Sequence, residues 1–428
     1  MFELSRDSNV PLVEQICERI TALLRAGRLA AGTRLPSIRA LARQVGASPF
    51  TVVEAYERLV ARGLIESRAG RGFFVTAQRT ALPLVAVEAV PASELLRSVK
   101  KHHIQHWLPC PPQGLPELRE HIAARLVQQG IAVSPGHVLT TSGASHAFDL
   151  LARILLAPGD AVLVEDPGYF VLFAQLRAHH VRLVPVPRGP DGPDLAALEA
   201  ACRAHRPRAF FMQTLLHNPT GSSTDAAHCH RILSLAEQYG FALVEDDVYG
   251  DLHPGPAVRL AQIDGLRHVI YVGSFTKLVG PALRVGYIAA EPTLIAQLIE
   301  RKVLSVLAGS ALLEGLVAQV LDGGRYKRHV ERLRTRLQRM RGEARAALAA
   351  VGIEFEPAAG DGIFLWGRVR QLEAVDGLVR RARAQSILLA RGALFSPAAG
   401  CEQWLRFNVC HSTRPPLLEF LRGELRAA

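Results

Sequence analysis

The sequence predicts two folds on one chain: a small helical head closed by a β-hairpin, then a long α/β body on a doubly wound, mostly parallel sheet. Three observations predict it. Residues 1–79 carry three short helical patterns followed by two strand-like runs, residues 94–428 alternate β-rich runs with helix-length segments, and the stretch between them has neither pattern. The composition agrees, since 428 residues with 49% apolar and 21% charged side chains exclude a disordered chain and exceed what one core usually holds.

The head begins with Leu12, Ile16, Ile20, Leu23 and Leu24 at helical spacing, a pattern that stops at Gly27. Leu35-Pro36-Ser37 breaks the chain and offers Ser37 as the cap of a second helix, which carries Leu41 and Val45 and ends at Gly46. Ser48 caps a third, with Pro49 in its first turn and Val53, Tyr56 and Val60 as the expected inward face. Leu64–Ser67 and Gly72–Val75 then flank Arg68-Ala69-Gly70-Arg71 as a hairpin with a basic tip. Helix, turn, helix and hairpin together make a winged helix-turn-helix.

The charge supports a polyanionic partner for this head. The chain is +11 overall, and residues 1–79 hold twelve arginines against seven acidic residues and no lysine. Arginine forks onto phosphates and guanine edges, although a genome rich in arginine codons produces the same bias. Ala77 to Ser93 contain Pro83 and Pro91 among small apolar residues, and read as a linker able to span on the order of 45 Å. Six cysteines without a paired spacing predict neither a disulfide framework nor a zinc ribbon, and so a reducing, cytoplasmic setting. No apolar leader and no run of membrane-spanning length is expected. His102, His103 and His106 beside Trp107 have helical spacing without an acidic or thiol partner nearby, so no metal is expected there. His228-Cys229-His230 reads as surface and core residues interleaved, and the arginine-rich segment Tyr326–Ala349 as a solvated helix face.

In the body, strands are expected at 161–164, 181–184, 209–212, 242–244 and 269–272. Ligands of doubly wound sheets bind beyond the carboxyl ends of the strands, so the polar residues after each run carry the chemistry. They are His217-Asn218-Pro219-Thr220-Gly221, Glu245-Asp246-Asp247-Val248-Tyr249 and Ser274-Phe275-Thr276-Lys277, with Thr141-Ser142-Gly143-Ala144-Ser145 leading into a helix whose free N–H groups form an anion site. Singly, Lys277 would be a surface charge, Asp246 a cap and Asn218-Pro219 a turn. Together they match a cofactor with a phosphate, a basic ring nitrogen and an aldehyde.

With these motifs, residues 94–428 resemble a fold-type I pyridoxal-phosphate aminotransferase with a smaller C-terminal α/β subdomain, and residues 8–76 resemble a GntR-type winged helix. That fusion, in this order, is similar to the MocR-type transcriptional regulators. The resemblance rests on S-F-T-K at 274–277, H-N-P-T-G at 217–221, E-D-D-V-Y at 245–249 and L-R-F-N at 405–408, with P-L-V-E-Q-I at 11–16, G-T-R-L-P-S at 32–37 and T-V-V-E-A-Y-E-R-L at 51–59 in the head. It implies a winged-helix DNA-binding domain at 1–76, a linker at 77–93 and a domain binding pyridoxal 5′-phosphate at 94–428.

Position by position, the resemblance implies that Lys277 carries the cofactor as a Schiff base and that Asp246 pairs with the pyridine nitrogen. Asn218 and Tyr249 would bind the ring hydroxylate, Tyr169 would stack on the ring, and Ala144, Ser145, Ser274 and Arg284 would hold the phosphate. Arg406 would take a substrate α-carboxylate. Lys277, Asp246 and Tyr249 form the catalytic set, and Arg34, Ser37, Arg39, Ser48, Thr51, Arg68 and Arg71 the DNA-contacting set. Pro109-Cys110-Pro111-Pro112 departs from the family by lacking the tyrosine that reaches the phosphate across a dimer, and Pro49 and Val53 stand where many such heads carry arginine. The expected function is a homodimeric DNA-binding regulator in which an amine or amino acid reacts at Lys277. The alternatives are an active aminotransferase with an accessory head, and a sensor of the cofactor itself.

Overall fold

The computed structural model describes residues 11–25, 29, 32–61, 64–68, 72–75, 109–356, 360–372 and 375–426. The expected linker at 77–93, Arg71 at the wing tip and the histidines at 102, 103 and 106 lie outside the described residues, and Arg68 is described in its backbone alone. The chain divides into two compact units, Met1–Leu84 with Leu378–Leu388, and Val85–Gly377 with Leu389–Ala428.

The head holds α1 (Leu12–Arg25), α2 (Ile38–Val45), α3 (Pro49–Ala61) and a hairpin of β1 (Ile65–Arg68) and β2 (Gly72–Val75). Both expected caps form. The Ser37 Oγ accepts the Ala40 N–H at 3.2 Å and the Ser48 Oγ accepts that of Thr51 at 3.1 Å, each satisfying a donor that a helix start leaves free. Gly46 ends α2 in the left-handed conformation at φ 62°. The hairpin pairs Ile65 with Val75 and Arg68 with Gly72, and residues 32–35 add a third extended segment through the Val75 N–H to Thr33 and the Leu35 N–H to Phe73, both 2.9 Å.

Ile16, Ile20, Leu41, Val52, Ala55, Tyr56 and Leu59 are fully buried at the centre of this unit. The inward face of α3 is therefore Val52-Ala55-Tyr56-Leu59. Val53 is half-buried and Val60 is exposed, which corrects the expected face. Adjacent valines at 52 and 53 made the phase ambiguous, and packing against α1 and α2 decides it. The Tyr56 ring packs edge-on to Phe73 and its hydroxyl donates to the Pro36 carbonyl at 2.8 Å, so one side chain ties α3 to both the segment before α2 and the wing.

The body is built on an eight-stranded sheet in the order β3-β10-β9-β8-β7-β4-β5-β6. These are β3 (Val138–Thr141), β4 (Ala161–Asp166), β5 (Arg182–Gly189), β6 (Gly192–Pro193), β7 (Ala209–Met212), β8 (Ala242–Asp246), β9 (Val269–Ser274) and β10 (Gly286–Ala289). All five expected strands are present, and the pairs among β9, β8, β7, β4 and β5 are parallel. β10 runs antiparallel between β3 and β9. β3 and β10 are two strands beyond the five expected. β5 runs on through Pro185 and Pro187, which a strand tolerates here because only the two-residue β6 lies beyond it.

Alternation along the strands explains why both faces are covered. Val162, Val164, Phe211, Val244, Ile270 and Ile288 join one cluster with residues from helices Ala144–Leu155, Phe170–Ala178 and Pro292–Val306. Leu163, Phe210, Leu243, Tyr271 and Tyr287 point the opposite way and are just as buried. A smaller antiparallel sheet of β11 (Phe364–Arg368), β13 (Trp404–Asn408) and β12 (Ala390–Arg391) forms the C-terminal subdomain. No helix among the described residues is long and apolar enough to cross a membrane.

Candidate functional site

Six strands adjacent in the sheet bring their ends to one edge. Gly143 to Ser145 follow β3, Arg284 precedes β10, and Ser274 to Lys277 follow from β9. Asp246 to Tyr249 follow from β8, Gln213 to Asn218 follow β7, and Asp166 to Tyr169 follow from β4. Arg406 comes from β13 of the small sheet and meets this edge directly, its Nη1 donating to the Asn218 Oδ1 at 2.9 Å. The structure thus brings the expected body residues together from positions 144 to 406.

The edge opens with an anion site. Helix Ala144–Leu155 starts at Gly143, which has φ 84° and no side chain to cap the helix. Ala144 and Ser145 are its first two residues. The Arg284 Nη2 donates to the Ser142 carbonyl at 3.3 Å, and a Cβ added to Gly143 would lie 2.9 Å from that nitrogen. Gly286 is held to glycine by the same turn, because a Cβ there would sit 2.8 Å from the Gly143 backbone. Beside it the Ser274 Oγ accepts the Thr276 N–H at 3.2 Å, while the Thr276 Oγ1 is buried with no hydrogen-bond partner. An orphaned hydroxyl among free N–H groups and a guanidinium fits a phosphate.

At the centre lies a carboxyl group without a cation. Gln213 Nε2 donates to Asp246 Oδ2 at 2.9 Å and the Val248 N–H to Oδ1 at 3.3 Å. Burial pushes Asp246 up to about 7, and the charges of Asp247 and Glu165 add to the shift. A protonated ring nitrogen placed against it would supply the missing counter-charge. Asp247 already has partners of its own, Arg259 at 2.7 Å and the Tyr271 hydroxyl. Gln213 is the residue sequence reading missed. Its Oε1 accepts the Asn218 N–H at 2.8 Å and its own N–H donates to Glu165 Oε2 at 2.7 Å, so it locks Asp246 and Asn218 to one frame. It stands one residue past β7, where the strand-end rule would have found it.

The remaining groups set the reactivity. Lys277 is half-buried, and burial first, then Arg284 and Arg406, hold its amine below the ordinary lysine range against the opposing pull of Asp246. A lowered pKa favours the free amine, the nucleophilic form. Arg406 is buried, with Phe364 and Phe395 against its guanidinium at 4.2 and 4.8 Å from the ring centres, and burial brings it down to about 10. Burial likewise raises Tyr249 and moves Tyr169 to about 12, so both keep their protons as donors.

The expected head residues behave differently. Arg34, Ser37, Arg39 and Ser48 are exposed and Thr51 is half-buried, its Oγ1 sharing a 2.8 Å hydrogen bond with the Ser48 Oγ. Arg58, in contrast, is taken up by Glu14 at 2.9 Å and Glu54 at 2.7 Å.

Residues 79–422 match the family described as aminotransferase class I and II, and residues 12–75 match the gntR family of bacterial regulatory proteins. The 2-aminoadipate transaminase of Thermus thermophilus is 32% identical over 349 residues, covering 79% of this chain and 85% of that protein. The probable rhizopine catabolism regulatory protein MocR of Rhizobium meliloti is 30% identical, covering 78% and 76%. The HTH-type transcriptional regulator YdcR of Escherichia coli is 29% identical over 92% and 94%. Among solved structures, the α-aminoadipate aminotransferase LysN of Thermus thermophilus, complexed with N-(5′-phosphopyridoxyl)-L-leucine, superposes with a TM-score of 0.73 at 29% identity, over 80% of this chain and 90% of that one. With its gntR-family head and its body of class I and II aminotransferase fold, the chain belongs to the MocR-type transcriptional regulators, DNA-binding proteins that depend on pyridoxal 5′-phosphate.

Proposed function

We propose that the body senses an amine or amino acid at Lys277 and that its occupancy changes how a homodimer engages double-stranded DNA. The observation that carries this reading is the intact strand-end set on the same chain as a gntR-type head. When bound, pyridoxal 5′-phosphate supplies an aldehyde carbon that condenses with primary amines and a ring that draws off electron density. Asp246 would hold the ring nitrogen in its protonated form, Asn218 and Tyr249 would hold the hydroxylate, and Tyr169 would cover the ring. Ala144, Ser145, Ser274 and Arg284 hold the phosphate, with the orphaned Thr276 hydroxyl beside them. Lys277, kept toward its free-base form by burial, Arg284 and Arg406, would hold the aldehyde of the cofactor and, when displaced by an amine, would be available to hold a proton. Arg406, already aimed through Asn218, accepts the α-carboxylate of an amino acid.

The boundaries that go with this reading are a DNA-binding domain at 1–76, a linker at 77–93 and a sensing domain at 94–428, working in the cytoplasm. Arg34, Ser37, Arg39, Ser48, Thr51, Arg68 and Arg71 contact DNA. Leu304, Leu307 and Leu312, exposed between helices Pro292–Val306 and Ala311–Leu321, support pairing of two bodies. Sensing requires that the effector bind two arrangements of the dimer unequally.

The test is absorbance of the purified protein with and without borohydride, for the native chain and Lys277→Ala, followed by DNA binding with a panel of amines. A band fixed by reduction, lost in the variant, together with amine-dependent DNA affinity supports the proposal. DNA affinity indifferent to every amine while amino donors turn over at rates near the enzyme median of roughly 10 per second would instead support the transaminase reading, which the complete catalytic set favours. A response to the cofactor alone would single out a cofactor sensor.

A further inference from the structure

The start of α3 carries a side chain that nothing in the head accounts for. Phe50, its second residue, is 77% exposed, the second most exposed large apolar side chain among the described residues. It lies opposite the buried stripe of Val52, Ala55, Tyr56 and Leu59, so it contributes nothing to the core. Its neighbours restrict what this turn can do. Pro49 has no N–H to offer, the Thr51 N–H and hydroxyl are both engaged by the Ser48 Oγ, and no arginine or lysine occurs from 44 to 57. The first turn of α3 is therefore an apolar tip with its hydrogen-bonding capacity largely spent internally.

In a helix-turn-helix, the amino-terminal residues of the second helix face base edges in the major groove. Of the groups displayed there, one is apolar, the C5-methyl of thymine. We infer that Phe50 is a specificity-determining residue whose ring packs on a thymine methyl in each half-site, with Arg34 and Arg39 supplying backbone attraction around it. This rests on the DNA-binding reading of the head. The arginine excess of the head favours nucleic acid over a protein partner, and covering one methyl with a ring otherwise bare in water is worth about 0.8 kcal/mol, or fourfold in affinity.

The experiment selects a duplex from random DNA with the full-length holoprotein, then replaces each thymine in turn with deoxyuridine, which lacks only the methyl. Loss of about fourfold at one position per half-site for the native chain, absent in Phe50→Ala and restored in Phe50→Leu, is the expected result. Equal weakening of thymine and uracil duplexes by Phe50→Ala would overturn it, assigning the ring to a contact with sugar, phosphate or another head. If Phe50→Ala binds both as tightly as the native chain, the ring does not touch DNA and the inference fails while the head still binds. If the native holoprotein retains no duplex at low salt, the DNA-binding reading fails with it. Unchanged thermal unfolding of Phe50→Ala shows that the variant is folded.

Discussion

The head and the body present their functional side chains in opposite ways. In the head Arg34, Ser37, Arg39 and Ser48 lie open to solvent, Ser37 and Ser48 as helix caps and Arg34 on the segment bridged to the hairpin. In the body Asn218, Asp246 and Arg406 are buried and hold one another, through Gln213 and through the Arg406–Asn218 hydrogen bond. A buried polar group without a partner is costly, so the body must build its site before any ligand arrives. The head incurs no such cost, because its exposed groups stay hydrated.

The strongest test of that difference removes the reactive group alone. Lys277→Ala should abolish the reducible absorbance band and all response to amines, while salt-sensitive DNA binding by the head persists; loss of DNA binding as well would mean the two regions are not separable in function. Next, Arg406→Ala should weaken amino-acid effectors by about 3 kcal/mol, on the order of a hundredfold, and leave amines without a carboxylate unaffected, as titration of DNA affinity against each would show. An equal loss for both classes would remove Arg406 from carboxylate recognition.

A smaller effect should appear in the cofactor-free protein as a function of pH. Asp246 holds its proton up to about 7 in the fold, well above the value of about 3.8 expected when unfolded. Between those values the native state binds the extra proton, so unfolding free energy falls as pH rises across this window, by at most about 1.4 kcal/mol per unit. Glu245, also moved to about 7 by burial, acts in the same direction. Asp246→Asn removes one of the two contributions, so its apoprotein should gain on the native apoprotein by about 2 kcal/mol between pH 5 and 8 in chemical denaturation. A constant difference would show that Asp246 is already ionised. The smallest effect belongs to the head, where Tyr56→Phe deletes the bond to Pro36 and should cost about 1 kcal/mol of head stability without altering the cofactor band.

The same contrast explains how much was legible beforehand. Motifs at strand ends keep their order whatever the packing, so Asp246, Lys277 and Asn218 could be singled out by position, while the role of each followed from the family resemblance. Gln213 was overlooked because a glutamine resembles a solvated residue until Asp246 and the Asn218 N–H are seen on either side of it. The inward face of α3 turned on a one-residue phase between Val52 and Val53, which depends on neighbours that are distant in sequence. Pro49 and Val53 stood out as the departure from the basic pattern, and the exposure of Phe50 between them, invisible in the sequence, is what gives this turn a use.

The bond from Arg406 to Asn218 spans 188 residues and joins the small sheet to the large one. On the proposed assignment, the order of synthesis runs from the residues that hold the cofactor, at 144 to 284, to the one that reads the effector's carboxylate at 406, so the site is completed by its last-made part.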